Sequence, residues 1–406
     1  MKTFKKPNLL ILIITGILAG IVCGWFFNES LTRLFVTFNS LFSNFLGFCV
    51  PLIILGFVAP AIADLGSKAG KMLLTTVLLA YGVTIGAGFL SYGVSDAFFP
   101  RMLESETAAE ALASSTDITP YFTIGIPPFI DIMSALVLSF LVGIGLTQIK
   151  SDNNALKNII SEFRDIVSWV IGKIIVPLLP IYIFGIFLKM SFTGEVNAVL
   201  SALYKIILVI FALHLFWIFV LYLGAAAFSR GEKNPFKLLW TMLPAYFTAL
   251  GTSSSAATIP VTLRQTMKMG VDEDIAGFTI PLCATIDLSG SALKIVSCAV
   301  ALMIMQGMPF DFGTFAYFVA MMGVALVAAP GVPGGSIMAA VGLLTSILGF
   351  SESDCALMIA LYIAMDSFGT ACNVTGDGAI AIVINRFFSK KSVPSTSPLS
   401  MELTES

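Results

Sequence analysis

Long apolar segments without charged residues are the feature that most limits the fold of this 406-residue chain. A helix needs about 20 apolar residues to cross the roughly 30 Å hydrocarbon core of a bilayer. Segments of this kind are found at 8–27, 34–63, 72–95, 132–149 and 206–229. Because lipid offers no hydrogen-bond partners to an open backbone, such segments are expected to be helical. The sequence therefore predicts an all-α integral membrane protein.

The composition narrows the class of function. Charged residues make up 11% of the chain, against about 25% in an average soluble domain, and the formal net charge of −2 gives no electrostatic basis for binding nucleic acid. The single histidine, His214, excludes most zinc sites and the usual Ser-His catalytic pair. The six cysteines show no CxxC spacing, which favours buried free thiols. We therefore expect neither an enzyme nor a resident cofactor.

Two segments are predicted to be re-entrant helical hairpins. The apolar part of 238–266 has basic residues on both sides, and short basic loops face the cytoplasm. Two full crossings would need about 40 residues, so this segment should enter the membrane and return at its hydroxyl-rich centre, 251–258. A second segment, 313–350, is interrupted by prolines and glycines at 329–336 and flanked by acidic residues. It is predicted to enter from the opposite, outer side.

Each predicted hairpin is followed by an apolar helix that carries charged residues near mid-depth. Two such units in opposite orientations are typical of secondary transporters, whose sites form at the midplane from broken helices. In the first of these helices, Asp287-Leu-Ser-Gly-Ser291 is a predicted break, and Lys294 follows. In an unbroken helix Asp287 and Lys294 would share a face, and we expect them to pair.

The last apolar helix carries a stripe of oxygen-bearing side chains. Successive members are four, three and four residues apart, which places them on one helical face: Asp366, Thr370, Asn373 and Asp377. Burying a carboxylate at the membrane centre costs at least about 2.5–3.5 kcal/mol. The two acids therefore predict a bound cation or a bound amine.

These motifs, in this order, resemble the sodium:dicarboxylate symporter family, which includes glutamate and neutral amino acid transporters. The resemblance extends over 9–388, and its motifs are Ser253-Ser-Ser255, Asp287-Leu-Ser-Gly-Ser291, Gly331-Val-Pro-Gly334, Asp366 and Asn373-Val-Thr-Gly-Asp377. It implies eight transmembrane helices plus two re-entrant helical hairpins with inverted repeats, assembled as a homotrimeric elevator-type transporter.

The same resemblance implies a division of the chain. Scaffold helices for trimerisation would comprise 1–70 and 128–195, and a transport core would comprise 71–98 and 196–388. Residues 99–127 are predicted to form an outer loop, and 389–406 a disordered cytoplasmic tail. The basic loops place both termini in the cytoplasm of a multi-pass protein of the plasma (inner) membrane.

Site residues follow from the resemblance position by position. Asp366 would hold the ammonium group of an amino acid, and the full substrate set would be Ser253, Ser254, Ser255, Ser291, Val332, Gly335, Asp366, Thr370 and Asn373. One sodium ion would bind the side chains of Asp287, Asn373 and Asp377 and the carbonyl group of Cys283. A second would bind the carbonyl groups of Thr285, Leu326, Val327 and Ala329.

The departures from the family pattern bear on the substrate. Relatives that carry acidic substrates have an arginine three residues after the ammonium-binding aspartate or at the start of the serine motif, where this chain has Gly369 and Ser253. We therefore predict a small neutral amino acid, moved into the cell with sodium. The carboxylate that helps to bind a third sodium ion is replaced by Ser289, so a third site is not predicted.

Several alternatives stay open at this stage. Within the family they are proton coupling, because Asp287 stands where relatives often have asparagine, and transport of an acidic amino acid or dicarboxylate. From other classes they are an ion channel and an intramembrane protease. No filter-like repeat is visible in the sequence, and the protease motif Gly-x-Gly-Asp lacks its first glycine before Asp377. The expected partners are an amino acid, membrane lipid and further copies of the chain, and not nucleic acid.

Overall fold

A computed structural model describes residues 9–67, 71–103, 118–149, 155–194, 196–327, 329 and 334–389. All regular structure within these residues is helical, and no strand occurs among them. The prediction of an all-α chain is confirmed. The tail beyond residue 389 and most of the predicted outer loop, 104–117, lie outside the described residues.

Seven α-helices occur among the described residues of the N-terminal half. They are α1 (Leu9–Gly24), α2 (Glu29–Ser67), α3 (Lys71–Leu103), α4 (Ile132–Gln148), α5 (Ala155–Val170), α6 (Val176–Phe192) and α7 (Val196–Phe228). A single π-helical turn, Ile171–Ile175, joins α5 to α6, so that these two helices form one long bent rod.

Among the described residues of the C-terminal half there are eight α-helices. They are α8 (Pro235–Thr252), α9 (Ser255–Lys268), α10 (Glu273–Ile286), α11 (Ser289–Met305), α12 (Phe312–Val327), α13 (Gly335–Leu348), α14 (Glu352–Ala364) and α15 (Asp366–Phe388). Consecutive helices pack in two pairs, because α8 contacts α9 and α12 contacts α13. We refer to each pair as a helical hairpin, and each pair is followed by two helices separated by a short break.

Six helical stretches are long and apolar enough to cross a membrane. Two of them lie inside the protein, since 89% of the most apolar window of Glu273–Met305 and of Asp366–Phe388 is buried, against 28% for Lys71–Leu103. Together with the five shorter apolar helices, this describes a multi-pass membrane protein. The buried pair carries the charged midplane residues.

Two groups of helices pack closely among themselves, and they also contact each other through α2 with α13 and through α1 and α6 with α14. In the first, α1 packs along α6, while α2 contacts α4, α5 and α6. In the second, α15 is the central element and contacts α7, α8, α9, α10 and α11. Helix α3 joins the second group through hydroxyl groups. The Ser91 hydroxyl donates to the carbonyl oxygen of Leu293 (2.8 Å) and lies 2.7 Å from the hydroxyl of Ser297.

The first hairpin turns at the serine cluster that the sequence indicated. Helix α8 ends because Ser253 adopts a left-handed backbone conformation (φ 49°). Ser254 then caps α9, with its hydroxyl accepting a hydrogen bond from the backbone of Ala257 (3.3 Å). Serine is one of the best residues for this capping position. The predicted interruption within 251–258 is confirmed.

The second hairpin turns at the proline- and glycine-rich segment. Helix α12 ends at Val327, and α13 starts after Gly334, whose φ of 76° suits glycine. Residues 330–333 lie outside the described part of the chain, and with them the predicted substrate residue Val332. The predicted interruption of the helix here is confirmed.

Both buried helices are broken at the charged residues. Between α10 and α11 the backbone of Asp287 is extended (φ −90°, ψ 100°), which confirms the predicted break. A second break at Met365 (φ −104°, ψ 11°) separates α14 from α15. The sequence did not predict this break, because no glycine or proline marks it. As a result, Asp366 is the first residue of a helix and not a mid-helix residue.

Candidate functional site

The tips of both hairpins and the breaks of both buried helices meet around one small cavity. The cavity has a volume of about 60 Å³, measured as the space open to the centre of a water-sized sphere. Its lining is mostly hydroxyl-bearing and small: Ser253, Ser254, Ser255, Ala256, Ala284, Thr285, Leu288, Ser291, Ala329, Gly334, Ser336, Tyr362, Asp366, Thr370 and Asn373. Asp366 is the one ionisable carboxylate in this lining, and none of these residues is basic.

Most of the residues predicted to bind substrate line this cavity together. They are Ser253, Ser254, Ser255, Ser291, Asp366, Thr370 and Asn373. Gly335 is buried and lies in the chain between the lining residues Gly334 and Ser336, but it does not itself line the cavity. Tyr362 and Ser336 also line the cavity, although they were not predicted as site residues. Their positions within the two units of hairpin and broken helix could have indicated it.

The serine tip presents the start of a helix to the cavity. Ser255 is the first residue of α9, and it and the next residue, Ala256, both line the space. The first amide groups of a helix lack intrahelical partners and favour an anion. The hydroxyl of Ser253 lies 2.7 Å from that of Ser367 on α15, which fixes the tip against the central helix.

Asn373 joins α15 to the start of α11. Its side-chain oxygen accepts from the backbone of Gly290 (2.7 Å), and its amide nitrogen donates to the hydroxyl of Ser291 (3.5 Å). Ser291 in turn lies 2.8 Å from the Tyr362 hydroxyl. The approach is close because residue 290 is glycine: an added Cβ would lie 2.6 Å from the carbonyl oxygen of Gly369.

Asp366 is paired with a lysine. The Lys294 ammonium lies 3.2 Å from Oδ1 of Asp366, and Oδ2 accepts from the backbone of Gly334 at the second hairpin tip (3.4 Å). The prediction that Lys294 pairs with Asp287 is wrong. It assumed an unbroken helix, but the chain leaves the helix at Asp287 and starts again at Ser289. The seven-residue spacing therefore no longer places the two side chains on one face.

Lys294 lies completely inside the protein and behind the cavity wall. It is 0% exposed, and its ammonium group sits 3.6 Å from the ring centre of Tyr362. It also lies 3.5 Å from the carbonyl oxygen of Met365. On its other side is Gly369, where an added Cβ would lie 2.5 Å from Cε and 2.6 Å from Nζ of the lysine. Glycine at 369 is therefore what makes room for Lys294.

Asp287 and Asp377 lie behind the cavity and are buried without enough donors. Oδ1 of Asp287 accepts from the backbone of Ser289 (3.3 Å). Its Oδ2, and both side-chain oxygens of Asp377, have no hydrogen-bond donor among the described residues. Both side chains are at most 1% exposed. Burying a carboxylate without a compensating partner is costly. These unpaired carboxylate oxygens therefore suit a bound cation.

The other predicted sodium ligands are spread around the same region. Cys283 is buried in the last turn of α10, and its carbonyl oxygen accepts from the backbone of Asp287 (2.8 Å). Thr285 and Ala329 line the cavity from opposite elements. Leu326 is buried, Val327 is half-buried, and neither lines the cavity.

A larger cavity lies elsewhere, between α2, α6 and α14, with about 350 Å³ by the same measure. Its wall includes Asn39, Lys189 and Asp354. The Asp354 carboxylate receives hydrogen bonds from Ser351 and from Gln306. No hairpin tip or helix break contributes to it, so we assign the functional site to the smaller cavity.

The chain matches known proteins over most of its length. A model of the sodium:dicarboxylate symporter family matches residues 9–387. The chain is 28% identical over 356 residues to the serine/threonine transporter SstT of Streptococcus suis, covering 83% of this chain and 95% of that protein.

Two further relatives extend the comparison. SstT of Acinetobacter baylyi is 26% identical over 407 residues, covering 94% of this chain and 98% of that protein. The neutral amino acid transporter B(0) of Mus musculus is 27% identical over 274 residues, which are 66% of this chain and 48% of that protein. With its match over nearly the whole length, the chain belongs to the sodium:dicarboxylate symporter family.

Proposed function

We propose that this protein is a secondary active symporter that moves a small neutral amino acid into the cell together with sodium. The observation that carries the proposal is the arrangement at the cavity. A carboxylate, Asp366, and an open helix start at Ser255 line the same small space. Two buried acids, Asp287 and Asp377, lie behind it with oxygens that have no donor among the described residues.

The cavity suits a zwitterion. Asp366 would hold the substrate ammonium group through a charge-assisted contact, and the amide groups at the start of α9 would hold its carboxylate. By the same measure one water needs about 10–15 Å³, so about 60 Å³ corresponds to a molecule of a few heavy atoms. The lining holds no basic side chain that would hold a second carboxylate.

The names of the relatives agree with this substrate class. Two are named serine/threonine transporters, and one is named a neutral amino acid transporter. All three names describe transporters and not enzymes. We take serine as the first substrate to test.

The travelling cation would be sodium. Sodium prefers oxygen ligands, which the side chains of Asp287 and Asp377 and the carbonyl group of Cys283 offer in one buried region. A second ion would bind carbonyl groups under the second hairpin, at Thr285 and Ala329 with their neighbours in α12. The cation would neutralise the acids behind the cavity, and the amino acid would bind in the cavity itself. Binding of one would therefore favour binding of the other.

The transport cycle would follow the division into two packing groups. The scaffold would be formed by α1, α2 and α4–α6, and the moving core by α3 and α7–α15, with eight crossings and two re-entrant hairpins. The closer packing within each group than between the groups supports this division. Assembly as a homotrimer, a place in the plasma membrane and cytoplasmic termini belong to the same proposal.

The test is serine uptake by the purified protein in liposomes with imposed gradients. We expect an inward sodium gradient to drive accumulation of labelled L-serine, and excess L-alanine to compete better than L-aspartate. Uptake driven by a proton gradient alone would contradict sodium coupling. Strong competition by L-aspartate would contradict the neutral substrate.

Replacing Asp366 tests the site itself. Asp366→Asn keeps the size of the side chain and removes its charge, so we expect serine uptake to be lost while the protein still purifies as a folded membrane protein. Ser95→Ala is a matched control, because its hydroxyl bonds to Ser297 away from the cavity. Serine uptake of normal affinity in Asp366→Asn would remove this residue from the site.

A further inference from the structure

Lys294 is a full positive charge at the centre of the protein that the proposed transport cycle does not use. Its ammonium lies 3.2 Å from Asp366 and is completely buried, and the residue is absent from the cavity lining. It therefore contacts Asp366 from behind, whereas a substrate would contact the same carboxylate from the cavity.

The surroundings of Lys294 are built for a fixed cation. The face of Tyr362 lies 3.6 Å from the ammonium, an arrangement that attracts positive charge. The carbonyl oxygen of Met365 supplies a further weak contact (3.5 Å). Gly369 removes the one Cβ that would displace the lysine.

The charges of the site show what the lysine does. The buried acids of the region are Asp366, Asp287 and Asp377, and Lys294 is the one lysine or arginine among the buried residues of the described chain. A buried carboxylate without a partner is strongly unfavourable, so each acid needs a compensating cation. Asp366 has such a cation permanently, while the other two acids lack sufficient donors.

We propose that Lys294 is a tethered counter-cation that takes the place of one travelling cation at Asp366. The inference rests on the proposed symport function and adds a prediction about its stoichiometry. With Lys294 present, Asp366 remains compensated whether or not substrate is bound. Without it, Asp366 would be compensated only while the substrate ammonium is bound, so the empty core would have to carry a cation there on its return. Lys294 is thus a positioning and coupling residue that does not contact the substrate.

The experiment measures the charge carried per serine molecule. Labelled L-serine flux through protein in liposomes is balanced against an imposed membrane potential, and the potential at zero net flux gives the charge per molecule. Lys294→Met shortens the side chain by one atom and removes its charge. We expect the charge per serine to fall by about one elementary charge, because the empty core would return with one compensating cation at Asp366.

The control is a lysine in the membrane region that neutralises no midplane acid. Lys205 donates to the carbonyl oxygen of Met102 (2.9 Å), so Lys205→Met should leave the charge per serine unchanged. An unchanged charge per serine in an active Lys294→Met protein overturns the inference. If the wild-type protein carries no serine at all, the proposed function fails before the variant is compared, so the two failures are distinguishable.

A binding measurement covers the case in which Lys294→Met does not transport or does not fold. The double variant Lys294→Met/Asp366→Asn removes both charges and leaves no unpaired ion. The number of sodium ions bound is obtained from the dependence of thermal unfolding on sodium chloride, with choline chloride as reference. We expect the double variant to bind the same number as wild type. Loss of a sodium ion in the double variant would show that Asp366 needs a travelling cation even beside Lys294, and would overturn the inference.

Discussion

The close contact between Gly369 and Lys294 predicts that Gly369→Ala destabilises the wild-type protein but stabilises a protein that lacks the lysine. An alanine Cβ at 369 would lie 2.5 Å from Cε and 2.6 Å from Nζ of Lys294, whereas carbon atoms in contact are normally about 3.5–4.0 Å apart. The lysine therefore has to move by about 1 Å in a space where it has 0% exposure.

The expected cost follows from how the lysine responds. If it shifts but keeps its pair with Asp366, overpacking should destabilise the protein by about 1–3 kcal/mol. If it leaves Asp366, an uncompensated buried charge should cost about 3–5 kcal/mol. Either way, Gly369→Ala should lower the thermal unfolding temperature of the purified protein.

Removing the lysine should reverse the effect. In Lys294→Ala the three nearest neighbours of the added Cβ are gone, because all three are lysine atoms. Gly369 lies within α15, and alanine is favoured over glycine in a helix by about 0.5–1 kcal/mol. Gly369→Ala should then stabilise the Lys294→Ala protein slightly.

The assay is thermal unfolding in detergent for the four proteins of this double-mutant cycle. Gly224→Ala in α7 is the control, because nothing lies within 4 Å of its added Cβ, and its effect should be the same in both backgrounds. Equal destabilisation by Gly369→Ala with and without Lys294 would refute the contact. So would a stabilising effect in the wild-type background.

Two further changes test the acids and the helix contact. Asp377→Asn should raise the sodium concentration for half-maximal serine uptake by about tenfold to a hundredfold, as expected for the loss of a charged contact of about 1.5–3 kcal/mol. The control Asp272→Asn changes an exposed acid and should leave this concentration unchanged. Equal sodium dependence in both variants would remove Asp377 from the cation site. Gly290→Ala should destabilise the protein by about 1–3 kcal/mol, because its Cβ would lie 2.6 Å from the Gly369 carbonyl oxygen. In the control Gly277→Ala the added Cβ meets nothing within 4 Å. Equal unfolding temperatures of the two variants would contradict this packing.

The hairpin turns and the break at Asp287 were predictable because local chemistry specifies them. Ser254 can cap a helix with its own side chain, and the proline- and glycine-rich segment around Gly334 cannot continue one. These signals operate over a few residues, so a single sequence is enough to reveal them. The charged stripe of the last helix was predictable for the same reason, because charges at membrane depth are rare.

The partner of Lys294 was not predictable from local spacing. The choice between Asp287 and Asp366 depends on how α11 rotates after the break and on where α15 starts, and both are set by packing between distant parts of the chain. The break at Met365 has the same origin, since it lacks a residue type that ends helices. The packing around Gly290 and Gly369 gives the physical reason why α11 and α15 approach so closely.

The enclosure of Lys294 by Gly369 also restricts how this protein could evolve. An arginine at position 369 would need its first side-chain carbon where the lysine now lies. A single substitution at 369 would therefore disturb the pair with Asp366, and a single loss of the lysine would leave that acid uncompensated. A change of substrate charge along this route requires two substitutions, and each one alone is expected to impair the protein.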